Sequence, residues 1–232
     1  MKKIILILLL AVSPLAMAEY ITATSWLVTD GDGRIVGSHN PNKQQSIASI
    51  TKLMTAMVVL DAKQDLNEKI GGISREQQLQ LMLVHSDNHS AEVLCEHYPG
   101  GRSSCITAMN NKAYSLGLDD TKYADPSGLN VMNVSTASDL VYIVLEASKY
   151  AEINRAAKTS EIKIKKRKYV HNTNPLVATH DFIVSKTGYI RASGGCIVMM
   201  VNTKIGQRIV VLLNSKNVHT RIPEAKFLAL NY

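Results

Sequence analysis

The chain has no apolar run long enough to cross a bilayer as a helix, a span that takes about 20 residues. Its first apolar stretch, Ile4 to Val12, stands behind Met1-Lys2-Lys3 and ahead of Ala16-Met17-Ala18. A positive start, an apolar centre and a small-residue cleavage pattern mark a secretory signal over residues 1–18, so Glu19 opens the mature protein. A membrane anchor would need a longer run. Cysteine is scarce, with 3 in 232 residues, and no Cys/His spacing suits zinc, so no metal is expected. Cys95 and Cys105 bracket the turn-rich His97-Tyr98-Pro99-Gly100-Gly101; export permits a disulfide there, and two free thiols are the alternative. Cys196 lies in the apolar run Cys196 to Val201 and is expected to be a buried free thiol. Low-complexity linkers and internal repeats are absent too, so the mature chain makes one sizeable domain or two intimately packed lobes. Charge is not extreme: +7 overall, less the two lysines of the signal, a moderate excess that suits an anionic polymer. The one dense basic cluster, Lys163 to Lys168, conflicts with a nucleic-acid role in an exported protein and reads as a solvated hairpin edge.

What is present is organised around Ser46 to Leu60, SIASITKLMTAMVVL. Ile50, Leu53, Met54, Met57, Val58 and Leu60 leave little polar surface, which predicts a helix buried on all sides. Positions three apart share a face, so the Ser49 hydroxyl can meet the Lys52 amine. A charged lysine is costly in such surroundings, and burial lowers its pKa toward the range of a useful base. Taken alone, Ser-x-x-Lys is weak, since a serine at a helix start also serves as an N-cap.

Ahead of this helix, Trp26 to Val28 and Ile35-Val36 flank Asp30-Gly31-Asp32-Gly33 and predict a β-hairpin. After it, Asp65 to Gly72 reads as a loop. Ser74 and Gln77 form a capping box for a second helix carrying Leu79, Met82 and Leu83. That helix runs out at His85-Ser86-Asp87-Asn88, where Ser86 and Asn88 expose a hydroxyl and an amide, although any turn favours these residue types. Further helices follow over Ala91 to Leu94, over Thr107 to Leu116 with Gly117 as C-cap, and after Ser135-Thr136. From about residue 160 the character changes to strands at Phe182 to Val184, Cys196 to Val201 and Ile209 to Leu213, closed by a short helix near Glu224 to Leu230. Strands at both ends predict an α+β fold, with a helical lobe (46–159) inserted into an α/β lobe (19–45 plus 160–232). Lys186-Thr187-Gly188 ends the first late strand. Its lysine can hold a carboxylate, its threonine can orient one, and its glycine would let a substrate backbone approach.

Ser49-x-x-Lys52, Ser86-x-Asn88 and Lys186-Thr187-Gly188, in this order, resemble the signature of the penicillin-recognising serine D,D-peptidases. HYPGG, AYSLGL, DPSGLN, NVSTASDL, NTNPLV and KTGY extend the likeness over nearly the whole mature chain, most closely to the low-molecular-mass penicillin-binding proteins of the D-alanyl-D-alanine endopeptidase type. The resemblance implies a β-lactamase/D,D-peptidase-like fold with an antiparallel sheet flanked by terminal helices. It also implies Ser49 as acylated nucleophile, Lys52 as general base, Ser86 as proton relay to the leaving amine, and Asn88, Lys186, Thr187 and Gly188 as substrate-binding residues. The oxyanion hole would be the backbone N–H groups of Ser49 and Tyr189. No cofactor is implied; the partners are peptidoglycan stem peptides and, as covalent inhibitors, β-lactams, in the periplasm, with at most peripheral association with membrane or wall. Compared with relatives, the chain is short between the Ser49 helix and Ser86, which would open one rim of the cleft, and the C-terminal domain and anchor of many carboxypeptidases have no counterpart.

Three other functions share parts of this pattern. A β-lactamase needs an acid placed to activate water, whereas the corresponding loop here reads Asp125-Pro126-Ser127-Gly128-Leu129-Asn130, with a shorter acid. A D-alanyl-D-alanine carboxypeptidase differs only in what occupies the leaving side, which the three motifs do not specify. A non-catalytic penicillin-sensing or wall-binding module has no need of an intact trio.

Overall fold

The computed structural model describes residues 21–165 and 168–232. The expected signal, and Lys166 and Arg167 of the basic cluster, lie outside them. Five strands form one antiparallel sheet in the order β2-β1-β11-β10-β9: β1 (Ser25–Asp30), β2 (Ile35–His39), β9 (Asp181–Ile190), β10 (Gly194–Thr203) and β11 (Gly206–Ser215). Alternation along the strands sorts their side chains into two cores. Leu27, Val198, Met200, Ile209 and Val211 face the helical lobe, while Val28, Ile197, Met199, Val201, Val210 and Leu212 face the opposite side. There they pack with Phe182 and with Ala225 and Leu228 of the C-terminal helix (Arg221–Asn231). Both faces of β10 and β11 are therefore buried, which explains their continuous apolar runs. Among the described residues this terminal helix covers that face, and the antiparallel sheet with its helical lobe is the α+β fold expected.

The helical lobe surrounds α1 (Lys52–Asp61), whose residues from Lys52 to Val59 are all buried. The helix is enclosed on all sides, as its composition predicts, but it starts later than expected. Gln45–Ser46 (β3) pairs with Val134–Ser135 (β6), and Ala48–Thr51 forms a 3-10 turn before α1. The expected loop from Asp65 contains a small ribbon of β4 (Lys69–Ile70) and β5 (Ile73–Ser74). α2 (Arg75–Gln80) begins with the predicted capping box, Gln77 N–H donating to Ser74 Oγ at 3.1 Å and Ser74 N–H to Gln77 Oε1 at 3.0 Å. A five-residue π-helical turn, Leu81–His85, continues it.

Beyond the turn come α3 (Asn88–Glu96) and α4 (Gly101–Ser115), the latter beginning six residues before its predicted start at Thr107. Cys95 and Cys105 join these two helices in a disulfide, with Cα atoms 5.3 Å apart, and Cys196 is a buried free thiol. α5 (Ala137–Ala147) and α6 (Ala151–Lys158) complete the lobe, and the C-terminal helix is α7. The charged hairpin forms, as β7 (Glu161–Lys165) and β8 (Lys168–His171), but as a separate ribbon against the π turn and not as an edge of the main sheet. The outer side of the edge strand β9 faces the Ser49 turn instead.

Candidate active site

Ser49 lies in the 3-10 turn that two glycines press from either side. A methyl group on Gly128, whose φ is +84°, would stand 2.0 Å from the Ala48 carbonyl oxygen. One on Gly188 would stand 2.9 Å from the Ile47 carbonyl oxygen and 3.0 Å from the Ser49 nitrogen. At Gly188 a side chain is excluded because β9 packs directly on the serine turn. The close approach also brings the Ser49 N–H beside the β9 backbone, one residue before Tyr189. Tyr189 itself is half exposed on the rim.

The turn is held from behind by residues that motif reading passed over. Thr51 Oγ1 donates to the Ala48 carbonyl at 2.8 Å, and Asn133 Nδ2 donates to Thr51 Oγ1 at 3.0 Å. Ile47 N–H donates to the Asn133 carbonyl at 3.1 Å, and Thr55 Oγ1 to the Pro126 carbonyl at 2.7 Å. The loop supplying these carbonyls is wound around the Asp125 carboxylate. That carboxylate accepts the backbone N–H of Ser127 at 2.8 Å and those of Gly128 and Asn130, both at 2.5 Å. Asp125 is 6% exposed, and its acceptor sites are spent on shaping a loop. It is not held free to activate water.

Lys52 has no exposed surface. Its Nζ donates to Ser49 Oγ at 2.9 Å, to Asn88 Oδ1 at 2.7 Å and to the Ser127 carbonyl. Burial pushes its pKa down to about 8, against the opposing fields of Asp125, Asp87 and Glu92. A lysine in this state is split between ammonium and free amine near neutral pH, so it can both take and return a proton.

The second and third motifs close the opposite wall. Ser86 follows the π turn in the left-handed conformation, φ +62°, and Asp87 caps α3 by accepting the Ser90 N–H at 2.6 Å. Lys186 Nζ donates to Ser86 Oγ and to the Thr187 carbonyl, both at 2.9 Å. Its pKa is driven well below that of an ordinary lysine by burial first, and then by the positive charges of Lys52 and Arg221. Thr187 Oγ1 donates to Thr173 Oγ1 at 2.7 Å, and Thr173 N–H donates to the Val84 carbonyl at 3.1 Å, tying strand to turn. Arg221 Nη1 donates to the Gly188 carbonyl at 2.7 Å. Thr173 belongs to the NTNPLV stretch, though nothing in that stretch foretells its bond to Thr187, and Arg221 stands in no chemical pattern that sequence reading could single out. The motif side chains therefore stand in two hydrogen-bonded groups, Ser49–Lys52–Asn88 and Ser86–Lys186, with the Thr187 carbonyl bound to the second, at one junction of the lobes.

An antiparallel sheet meeting a helical lobe at such a junction is the fold of the penicillin-binding proteins. Penicillin-binding protein D2 of Listeria monocytogenes, in its ampicillin-bound form, superposes with a TM-score of 0.82 at 25% identity over 90% of this chain and 96% of that one. The Streptomyces K15 DD-transpeptidase superposes equally well, with a TM-score of 0.82 at 24% identity over 90% and 95%. In sequence, the family model described as D-alanyl-D-alanine carboxypeptidase, peptidase family S11, matches residues 12–71 and 66–217, and the chain belongs to this family. It is 34% identical to the D-alanyl-D-alanine endopeptidase of Pseudomonas aeruginosa over 91% of this chain and 77% of that protein. To the D-alanyl-D-alanine endopeptidase of Escherichia coli K12 it is 36% identical, over 90% and 77%. The family's activity is that of a serine D,D-peptidase, endopeptidase or carboxypeptidase, acting on the cell wall. No described helix is long and apolar enough to cross a membrane.

Proposed function

We propose that this protein is an exported D,D-endopeptidase that cuts D-alanyl cross-links in peptidoglycan through an acyl-serine intermediate and is acylated by β-lactams. The observation that carries the reading is the 2.9 Å contact between Lys52 Nζ and Ser49 Oγ, with the lysine pKa lowered to about 8. Neutral Lys52 takes the Ser49 proton as Oγ attacks the D-alanyl carbonyl carbon. The carbonyl oxygen, now an anion, lies between the N–H groups of Ser49 and Tyr189, donors commonly worth about 3 kcal/mol each. As the C–N bond breaks, Ser86 gives its proton to the departing amine and regains one from the Lys52 ammonium, which returns Lys52 to the free amine, while Lys186, with Thr187, holds the neighbouring carboxylate. Asn88 accepts from Lys52 through Oδ1, which leaves its amide nitrogen to donate to the substrate backbone. Water then attacks the ester and releases the acyl chain, with Lys52 again taking the proton.

The endopeptidase reading, over carboxypeptidase, is supported by the names of the relatives at 34–36% identity, against 25–27% for those named carboxypeptidases. The periplasm follows from the substrate and from the signal read over residues 1–18; residues 19–232 then form one domain of two lobes, with at most peripheral attachment to membrane or wall. Digestion of purified peptidoglycan followed by chromatography tests the specificity. Loss of dimeric muropeptides is expected, and loss of terminal D-alanine alone would reject it. Ser49→Ala abolishes both that digestion and labelling by a fluorescent penicillin; retained activity would refute the nucleophile and with it the mechanism.

A further inference from the structure

Side chains alternate along the turn that carries the second motif. Ser86 and Asn88 meet Lys186 and Lys52 in the cleft, whereas His85, Asp87 and His89 line a separate groove of about 530 Å³. Ile73 and Leu81 form one apolar side of it, and Ile162, Ile164 and Val170 of the β7–β8 ribbon form the other. Lys163 and Lys168, both exposed, add positive charge to the lining. Among the described residues that line it Asp87 is the one acid, and one oxygen of that carboxylate already accepts the Ser90 N–H. The groove is stitched to the cleft wall: His85 Nδ1 lies 3.3 Å from the His171 carbonyl, and the Thr173 N–H donates to the Val84 carbonyl at 3.1 Å.

We propose that this groove binds the second peptide strand of a cross-linked substrate, the strand that bears the leaving amine. The inference rests on the endopeptidase reading. Ser86 is where the amine collects its proton, and the groove opens one residue to either side of it. The volume suits a ligand of a few residues. Its apolar walls fit alanyl methyl groups and methylene chains, and its two lysines match the free carboxylates of a stem peptide. A penicillin, or a single D-alanyl-D-alanine terminus, has no second peptide strand to place in the groove.

The test uses the Lys163→Glu/Lys168→Glu double variant with three substrates: a purified cross-linked muropeptide dimer, a monomeric pentapeptide stem and a fluorescent penicillin. For the dimer, kcat/KM falls about 10-fold or more, mainly through KM, and the loss shrinks as salt rises. Penicillin acylation and any monomer cleavage stay within about twofold of wild type, which also shows the variant to be folded. Unchanged dimer cleavage in the variant, with an active wild type, overturns the groove alone. An equal fall with penicillin and dimer overturns it as well. A wild type that leaves the dimer intact defeats the endopeptidase reading together with the groove.

Discussion

If Lys52 is the base that activates Ser49, acylation must follow the fraction of Lys52 that is a free amine. With a pKa of about 8, that fraction is about 1% at pH 6, about 9% at pH 7 and half at pH 8. The second-order rate constant for acylation by a penicillin therefore rises about 50-fold between pH 6 and pH 8, with unit slope below the pKa, and gains only about twofold more above it. The position of this limb comes from burial, because the largest influence on Lys52 is lost hydration and the nearby carboxylates only oppose it. Lys186 acts in the other direction. It must carry its proton to hold the drug carboxylate, and with its own pKa depressed by burial, Lys52 and Arg221, its deprotonation sets a falling limb. Lys186→Arg, which keeps the charge, removes that fall and leaves the rising limb near pH 8. The assay is stopped-flow acylation by a chromogenic cephalosporin at constant ionic strength. A rate constant flat from pH 6 to pH 8, or a Lys52→Met variant that keeps the slope, would refute Lys52 as the base.

Four further outcomes follow from the packing. Gly128→Ala forces a methyl group against the Ala48 carbonyl in a left-handed backbone, and costs about 2–4 kcal/mol together with most of the acylation rate. Gly117→Ala, at φ +72° with open space around it, costs about 1–2 kcal/mol and leaves acylation intact; urea unfolding and fluorescent-penicillin labelling separate the two. Because the Asp125 carboxylate is committed to backbone N–H groups, nitrocefin gives a stoichiometric burst and then slow turnover, and rapid steady hydrolysis would contradict this. Reducing the Cys95–Cys105 bridge, which closes a separation of 10 residues, lowers unfolding free energy by about 3 kcal/mol without changing the acylation rate.

Legibility in the sequence divides along a physical line. Ser49, Lys52, Ser86, Asn88, Lys186 and Thr187 are readable because each contributes a side-chain group and each motif is local. The Ser127 carbonyl is not readable: it is a backbone atom, 75 residues from the lysine it receives, and any residue type carries one. Thr173 and Arg221 act the same way, through partners that only the tertiary fold brings near. Gly188 was legible as a requirement for closeness but not for closeness to what. Short apolar runs between turn signals revealed the strands of the sheet, yet the start of α4 stayed hidden. Its buried residues, Cys105, Met109 and Ala113, form a stripe too narrow to announce the first turn, and Gly100-Gly101 imitates a loop.

The same burial that would make Lys52 a base weighs against the fold. A shift from 10.5 to about 8 corresponds to about 3 kcal/mol of destabilisation when the lysine is charged. Between pH 8 and pH 10.5 the unfolded chain holds more protons than the native one, so this penalty is complete below pH 8 and is relieved as pH rises through that window. At the pH where the enzyme works, most of it is therefore present. What offsets it is the set of acceptors around Nζ: Ser49 Oγ, Asn88 Oδ1 and the Ser127 carbonyl. Each hydrogen bond from a charged donor contributes about 1.5–3 kcal/mol. Two of the three acceptors are remote from the lysine in sequence, Asn88 Oδ1 at the start of α3 and the Ser127 carbonyl in the loop wound on Asp125. The Asp125 loop is thus part of the support of Lys52, and loosening it raises the cost of the charged lysine and lowers the Lys52 pKa further. Asp125→Asn tests this in the pH profile already described. The rising limb moves to lower pH if the loop and its carboxylate sustain the charge, and stays near pH 8 if Lys52 is tuned by burial alone.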